Sequence, residues 1–251
     1  MTKISIFIIT FNEERIIAQC LEKLTWADEI IVVDSGSSDN TVAICQKHGV
    51  KVIYNKFENF GKQKQFALEQ TTNDWVMNLD ADEILSDELI TEISNLDYKA
   101  NGYKIPFKHV FMDKIFNYGN ESNRFILRFF NKKYGKYNEL DVHEFVEVDG
   151  LTENLKNNLL HYSYTSINQY IEKLNKYTTF YAKINAEKGK KFSFVQIIFK
   201  TKFEFFKKYF LEKNFLNGKE GFYWAVFSSF YTFSKCVKTN QYNHEISKTS
   251  L

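Results

Sequence analysis

Two carboxylates stand two residues apart in Asp80-Ala81-Asp82-Glu83, directly after the apolar run Trp75-Val76-Met77-Asn78-Leu79. On an extended tip, residues i and i+2 point to one side. Two hard oxygen anions so placed suit a Mg²⁺ or Mn²⁺ ion that keeps several waters and takes its remaining ligands from substrate phosphates. Such an ion stabilises charge on a departing diphosphate. The competing reading is a solvated acidic turn that caps the next helix. Position favours the first, because three more polar groups fall at strand ends or at the start of the helix before the last of these strands. These are Thr10-Phe11-Asn12-Glu13-Glu14, Asp34-Ser35-Gly36-Ser37-Ser38-Asp39-Asn40-Thr41, and the basic Lys62 and Lys64. Asp34, after Ile30-Ile31-Val32-Val33, is placed to accept from a nucleotide's ribose or base edge, or to cap the turn that follows it.

The elements that must position these groups read as βαβ units. Strands are expected at Ile4 to Thr10, Glu29 to Asp34, Lys51 to Tyr54 and Trp75 to Leu79. Helices are expected at Glu13 to Leu24, Asp39 to His48 and Gly61 to Gln70, with one more capped by Ser86 and running to about Leu96. That alternation predicts a doubly wound α/β fold, in which ligands bind beyond the carboxyl ends of the strands. No GxGxxG or GxxxxGK[ST] loop follows the first strand, which argues against a dinucleotide dehydrogenase and a P-loop NTPase. From Gly102 to about Ser163 alternating segments predict a mixed or antiparallel extension. Helices then follow at Ser166 to Lys188, Phe194 to Leu211 and Gly221 to Lys238, with a polar, frayed tail from Thr239. We expect a catalytic domain over 1–163 and a helical region over 164–251.

Composition agrees with a globular chain: 251 residues, 44% apolar and 25% charged, exclude a disordered tail or a disulfide scaffold. Cys20, Cys45 and Cys236 form no metal or disulfide pattern, which points to a reducing compartment. The apolar start Ile4 to Ile9 is too short for a signal peptide, and Phe222 to Ser234 falls short of the roughly 20 residues of a spanning helix. A cytoplasmic protein is expected. The net charge of +2 hides an asymmetry: residues 161–251 carry 15 basic groups against 6 acidic ones. Of the aromatic residues, 16 lie between Phe192 and Phe233.

Several segments stand in a telling order: Ile8-Ile9-Thr10-Phe11-Asn12-Glu13-Glu14, Val32-Val33-Asp34-Ser35-Gly36-Ser37-Ser38-Asp39-Asn40-Thr41, Phe60-Gly61-Lys62-Gln63-Lys64-Gln65 and Trp75 to Glu83. Arg124 and Arg128, Val142-His143-Glu144, Leu160-His161-Tyr162-Ser163 and Phe215-Leu216-Asn217-Gly218-Lys219-Glu220-Gly221 continue the series. In this order and spacing the chain resembles the inverting family 2 glycosyltransferases of GT-A fold, and among them the lipopolysaccharide core glucosyltransferase type. The resemblance implies a GT-A doubly wound mixed sheet with a C-terminal helical, aromatic-rich appendage, and a nucleoside-diphosphate-sugar donor, UDP-glucose being the expected one. It implies that Thr10, Phe11, Asn12, Glu13 and Asp34 hold base and ribose, with Asp80 near the ribose or sugar and Asp82 as the main ligand of Mg²⁺ or Mn²⁺. Lys64 stands where many relatives carry Arg; it keeps the charge for the diphosphate and loses the bidentate fork. Asn217 departs from the Asp common in relatives.

An inverting transfer needs a carboxylate, set apart from Asp80 and Asp82, to deprotonate the acceptor hydroxyl. Glu144 matches the family's catalytic position, with Asp141 as the fallback, and an ordinary carboxylate is already ionised for this role. His143 alternates to the opposite strand face from Glu144, and His161 reads as structural or as a strand-end ligand. Arg124 and Arg128, four apart on a strand, share a face and are expected to clamp phosphate or to form a solvated basic edge.

On a helix, Val195, Ile198, Phe199, Phe203, Phe206, Tyr209 and Phe210 form one stripe, with Gln196, Lys200, Glu204, Lys207 and Lys208 opposite. That pattern suits an interfacial helix on an anionic membrane, or packing on the catalytic domain or on a second subunit of a homo-oligomer. The leading expectation is a metal-dependent transferase acting on a lipid-linked or lipopolysaccharide-core saccharide acceptor, peripheral on the inner face of the cytoplasmic membrane, with no nucleic-acid partner. The alternatives are a nucleotidyltransferase, which would need a Gly/Arg-rich first loop, and a non-catalytic basic module binding RNA or membrane.

Overall fold

The computed structural model describes residues 2–122, 124–138, 145–164 and 166–249. The chain divides into two compact units, one of residues 1–109 and 124–162, the other of 110–123 and 163–251.

In the first unit, β1 (Ile4–Thr10), α1 (Ile17–Glu22), β2 (Glu29–Asp34), α2 (Thr41–Lys47), β3 (Lys51–Tyr54), α3 (Phe60–Glu69) and β4 (Trp75–Asp80) alternate as βαβ units. They are followed by β5 (Glu83–Leu85), α4 (Asp87–Ser94) and β6 (Gly102–Phe111) and, after β7 (Lys114–Ile115), which belongs to the second unit, by β8 (Arg124–Asn131). Next come β9 (Gly135–Tyr137), β10 (Val146–Val148), β11 (Thr152–Asn154) and β12 (Leu159–Tyr164). The main sheet runs β3-β2-β1-β4-β8-β6-β12-β5. Its first four strands are parallel and β8 lies antiparallel to β4. Every residue of β1 is buried, as a central parallel strand covered on both faces requires. One face packs Ile6, Ile8, Leu79 and Met77 under the helix carrying Ile17 and Leu21; the other packs Phe7, Ile9, Val33 and Val76 with Ala67 and Leu68 of α3.

Strand order reverses between β1, which continues outward to β2 and β3, and β4 on its other side. This is the topological switch point where such sheets bind ligands. Registers align the ends: Thr10 lies beside Asp34, and Ile9 beside Asp80.

Along β8 the pairing with β6 slips: Leu127 faces Lys104 while Phe129 faces Tyr103, which leaves Arg128 as the extra residue of a β-bulge. The bulge overturns the expectation that Arg124 and Arg128 share a face. Ile126 packs with the first core cluster and Leu127 with the second. Arg128 joins the side of Leu127, so Arg124 is left on the opposite face.

The second unit contains α5 (Ile167–Glu187), α6 (Phe194–Phe206), a π-helical turn at Lys207–Leu211, a 3-10 turn at Asn214–Asn217 and α7 (Lys219–Thr249). Its core joins Phe111, Phe116, Tyr170, Leu174 and Trp224. Gly221 lets α7 approach the 3-10 turn: a Cβ there would sit 1.8 Å from the Asn214 carbonyl oxygen. The residues from Thr239, expected to fray, continue α7 as helix to Thr249. Tertiary hydrogen bonds explain this. Asn240 accepts from Phe192 N–H at 2.9 Å and donates to its carbonyl at 2.6 Å, and Asn243 donates to Lys190 O at 2.7 Å.

Candidate active site

Asp34 ends β2 and folds the loop after it. Its Oδ2 accepts from the backbone N–H of Gly36 at 2.8 Å and of Ser37 at 2.9 Å, and its Oδ1 accepts from Ser37 Oγ at 2.5 Å. Gly36 has φ +95°, a conformation in which any side chain is strained. The turn-capping reading of Asp34 therefore holds alongside any ligand role. Asn12, at φ 57°, ties the β1 loop to the β2 loop by accepting from Ser38 N–H at 2.8 Å and donating its own N–H to Ser37 Oγ at 2.9 Å. Glu13 N–H donates to Thr41 Oγ1 at 2.8 Å. Between these loops Phe11 is exposed, and Thr10 Oγ1 is buried with no hydrogen-bond partner among the described residues.

At the end of β4, Asp80 meets two cations. Lys64 Nζ, on the buried face of α3, lies 3.1 Å from Oδ1, and Arg128 Nη2 lies 2.8 Å from Oδ2. Burial opposes ionisation of Asp80, but Arg128 and then Lys64 outweigh it and hold the carboxyl far below its ordinary value. Arg128 also donates to Glu83 at 2.5 Å and to Asn78 Oδ1 at 2.8 Å, and Tyr137 Oη donates to that same oxygen at 2.9 Å. Glu83 accepts the Asp80 backbone N–H at 2.9 Å, and its own pKa is raised, chiefly by burial. Arg128 Nε is buried with no partner among the described residues.

Asp82 faces a different neighbour. β12 pairs with β5 so that His161 lies opposite Glu83, and His161 Nε2 comes within 3.2 Å of Asp82 Oδ2. Tyr162 N–H closes the turn on the Asp82 carbonyl at 2.8 Å. Burial disfavours the His161 cation, yet Asp82 and the neighbouring Glu83 and Asp80 outweigh it and raise its pKa.

Both Asp80 oxygens are engaged by an ammonium and a guanidinium, which ligate no metal, whereas Asp82 is paired with an imidazole, which ligates a divalent ion once it gives up its proton. Asp82 and His161 thus fit a metal better than Asp80 does. Among the described residues no group of three His, Cys, Asp or Glu side chains is arranged to hold a metal ion.

Asp80, Arg128 and Lys64 come together at the end of β4, while Thr10 and Asp34 lie beside each other at the ends of the neighbouring strands β1 and β2. Arg124 does not join them; its guanidinium stacks 4.5 Å over the Phe107 ring. Lys62 pairs instead with Glu58 at 2.6 Å on an exposed stretch. Asp141, His143 and Glu144 lie outside the described residues. Sequence reasoning assigned no role to Asn78, Glu83 or Tyr137. The readable signal was an amide inside the otherwise apolar β4 and an acid opening the apolar β5, since a buried polar group requires a partner.

A parallel sheet extended by antiparallel strands, with an acidic strand end at its switch point, is an α/β architecture that binds its ligand at that end. Residues 5–148 match the Glycosyl transferase family 2 model. The chain is 32% identical to the lipopolysaccharide core biosynthesis glycosyltransferase LpsC of Rhizobium meliloti, over 95% of this chain and 92% of that one. It is 34% identical to an uncharacterised glycosyltransferase of Rickettsia typhi, over 96% and 88% of the two chains. Among solved structures, S. aureus TarS in complex with UDP-GlcNAc aligns over 43% of this chain and 35% of that one, at 25% identity and a TM-score of 0.38. The protein belongs to glycosyltransferase family 2.

Proposed function

We propose that the protein transfers a sugar, glucose being the expected one, from a UDP-sugar to a lipid-linked or lipopolysaccharide-core saccharide with inversion at the anomeric carbon. The observation that carries this reading is the pair of unlike carboxylates ending β4: Asp80 clamped by Lys64 and Arg128, and Asp82 beside His161. The match to LpsC, whose name places it in lipopolysaccharide core biosynthesis, supports the acceptor class.

Thr10, Phe11, Asn12, Glu13 and Asp34 form the nucleoside end, where Phe11 offers an exposed ring and Thr10 an unused hydroxyl. Asp80, fixed as an anion, accepts from ribose or sugar hydroxyls. Lys64 and Arg128 place positive charge close to the diphosphate. Asp82 and His161 would hold Mg²⁺ or Mn²⁺, which would supply positive charge for the departing UDP. Glu144 takes the proton of the acceptor hydroxyl, whose oxygen bonds to the anomeric carbon as the bond to the diphosphate oxygen breaks. Asp141 is the fallback base. Residues 1–163 serve as the catalytic domain, at the cytoplasmic membrane face where a lipid-linked acceptor is presented.

Transfer from UDP-glucose to a lipid-linked saccharide fraction, followed with Mn²⁺ present, tests this reading. Glu144→Gln is expected to keep donor binding and lose transfer. Retained turnover would move the base to Asp141, and absence of transfer with any UDP-sugar would reject the reaction.

A further inference from the structure

The second unit presents an amphipathic helix turned inside out. Val195, Phe199, Phe203, Phe206 and Phe210 recur at helical spacing along α6 and the π-helical turn, and all are exposed, Val195 at 74% and Phe199 at 69%. The side of α6 that packs on α7 is the other one. It carries the buried Ile197 and half-buried Thr201, with Phe205 against Phe222 at 5.8 Å between ring centres. Lys208, which the sequence placed on an open polar face, is drawn inward to Glu121 and to Glu212, the latter at 3.0 Å. Of the expected stripe only Tyr209 turns inward, onto Phe205 and Phe222. The rest of the stripe stays 38–74% exposed. A contiguous phenylalanine face of this kind marks an interaction surface.

Charge selects the occupant. Lys200, expected opposite the stripe, instead flanks it on one side and Lys202 on the other, and Lys213 follows the π-helical turn; all three are exposed, and none has an ion pair among the described residues. With 15 basic and 6 acidic groups over residues 161–251, two copies brought face to face would repel, whereas an anionic surface attracts. We propose that this face of α6 and the π-helical turn docks on an anionic lipid bilayer, its phenylalanines entering the headgroup–acyl boundary and its lysines resting among the phosphates. Among the described residues no helix is long and apolar enough to cross a membrane, so the contact is lateral. This inference rests on the second unit alone and is independent of the transferase reading.

The test is co-sedimentation of the full chain with phosphatidylethanolamine–phosphatidylglycerol vesicles and with phosphatidylcholine vesicles, for wild type and for Phe199→Ser/Phe203→Ser. Light scattering and thermal melting of the free chains accompany it. We expect wild type to sediment with the anionic vesicles and, more weakly, with the neutral ones. The double variant should lose about tenfold in partition for each phenylalanine, with its mass and melting midpoint unchanged. Three results would overturn the proposal. One is equal partition of the two chains. Another is a wild-type dimer that the substitutions turn into a monomer, which makes a second copy the occupant. The last is a fall in melting midpoint, which would place the stripe against another part of the chain.

Discussion

Arg128 reaches Asp80 at 2.8 Å from the neighbouring strand because a β-bulge turns its side chain to the face that Asn78 and Tyr137 occupy. A regular β8 would have left this arginine on the face of Arg124, stacked outside the site. The bulge therefore converts a register irregularity into an electrostatic clamp. The clamp keeps one carboxylate charged and fixed while its neighbour, Asp82, pairs with His161.

Replacing Arg128 by Met is expected to destabilise the fold by about 3–5 kcal/mol, because Glu83, 1% exposed, then faces Asp80 without a shared cation. Lys64 still serves Asp80, so the damage concentrates on Glu83. Adding Glu83→Gln to Arg128→Met should recover part of the loss. Urea denaturation of the single and double variants measures this, and strictly additive costs would refute the shared clamp.

Lys208, pressed between Glu121 and Glu212, makes a pH prediction. Burial lowers its pKa, but the two carboxylates outweigh burial and raise it above 10.5. A raised folded value means that the stabilisation is complete below the unfolded value and fades as pH rises through the folded one. Wild type should therefore lose stability above about pH 10.5 relative to Lys208→Met. Denaturation midpoints that run parallel for the two chains through that window would contradict the ion-pair role.

Asn217 is buried and uses both ends of its amide: its oxygen accepts from Asn117 and Tyr118 N–H at 3.1 and 3.3 Å, and its nitrogen donates to Tyr118 O and Asn214 Oδ1. Asn217→Leu should cost about 1–3 kcal/mol in urea denaturation. No loss would mean that the loop at 117–119 is held without it.

The strands that carry the site were legible because β1, β2 and β3 are short apolar runs bounded by turn residues, and their observed limits match those read from the sequence. The GT-A fold and the family followed from ordered strand-end motifs. Periodicity failed where tertiary structure overrode local pattern. It put Arg124 beside Arg128 because a bulge leaves no mark in alternation. It read the polar stretch after Thr239 as frayed because the bonds from Asn240 and Asn243 come from residues some fifty positions away. It turned Lys208 outward because its partner Glu121 lies on a distant segment.

The most direct test of the central claim is thermal melting of wild type and Asp82→Asn with UDP-glucose, with and without Mn²⁺. A ligand at a hundredfold its Kd stabilises by about 2.7 kcal/mol, which for a chain of this size raises Tm by roughly 5–10 °C. The account predicts that rise for wild type only when UDP-glucose and Mn²⁺ are both present, its disappearance on chelation, and its absence in Asp82→Asn. A wild-type chain whose midpoint does not respond to Mn²⁺ with any UDP-sugar, or an Asp82→Asn chain that responds like wild type, would contradict it.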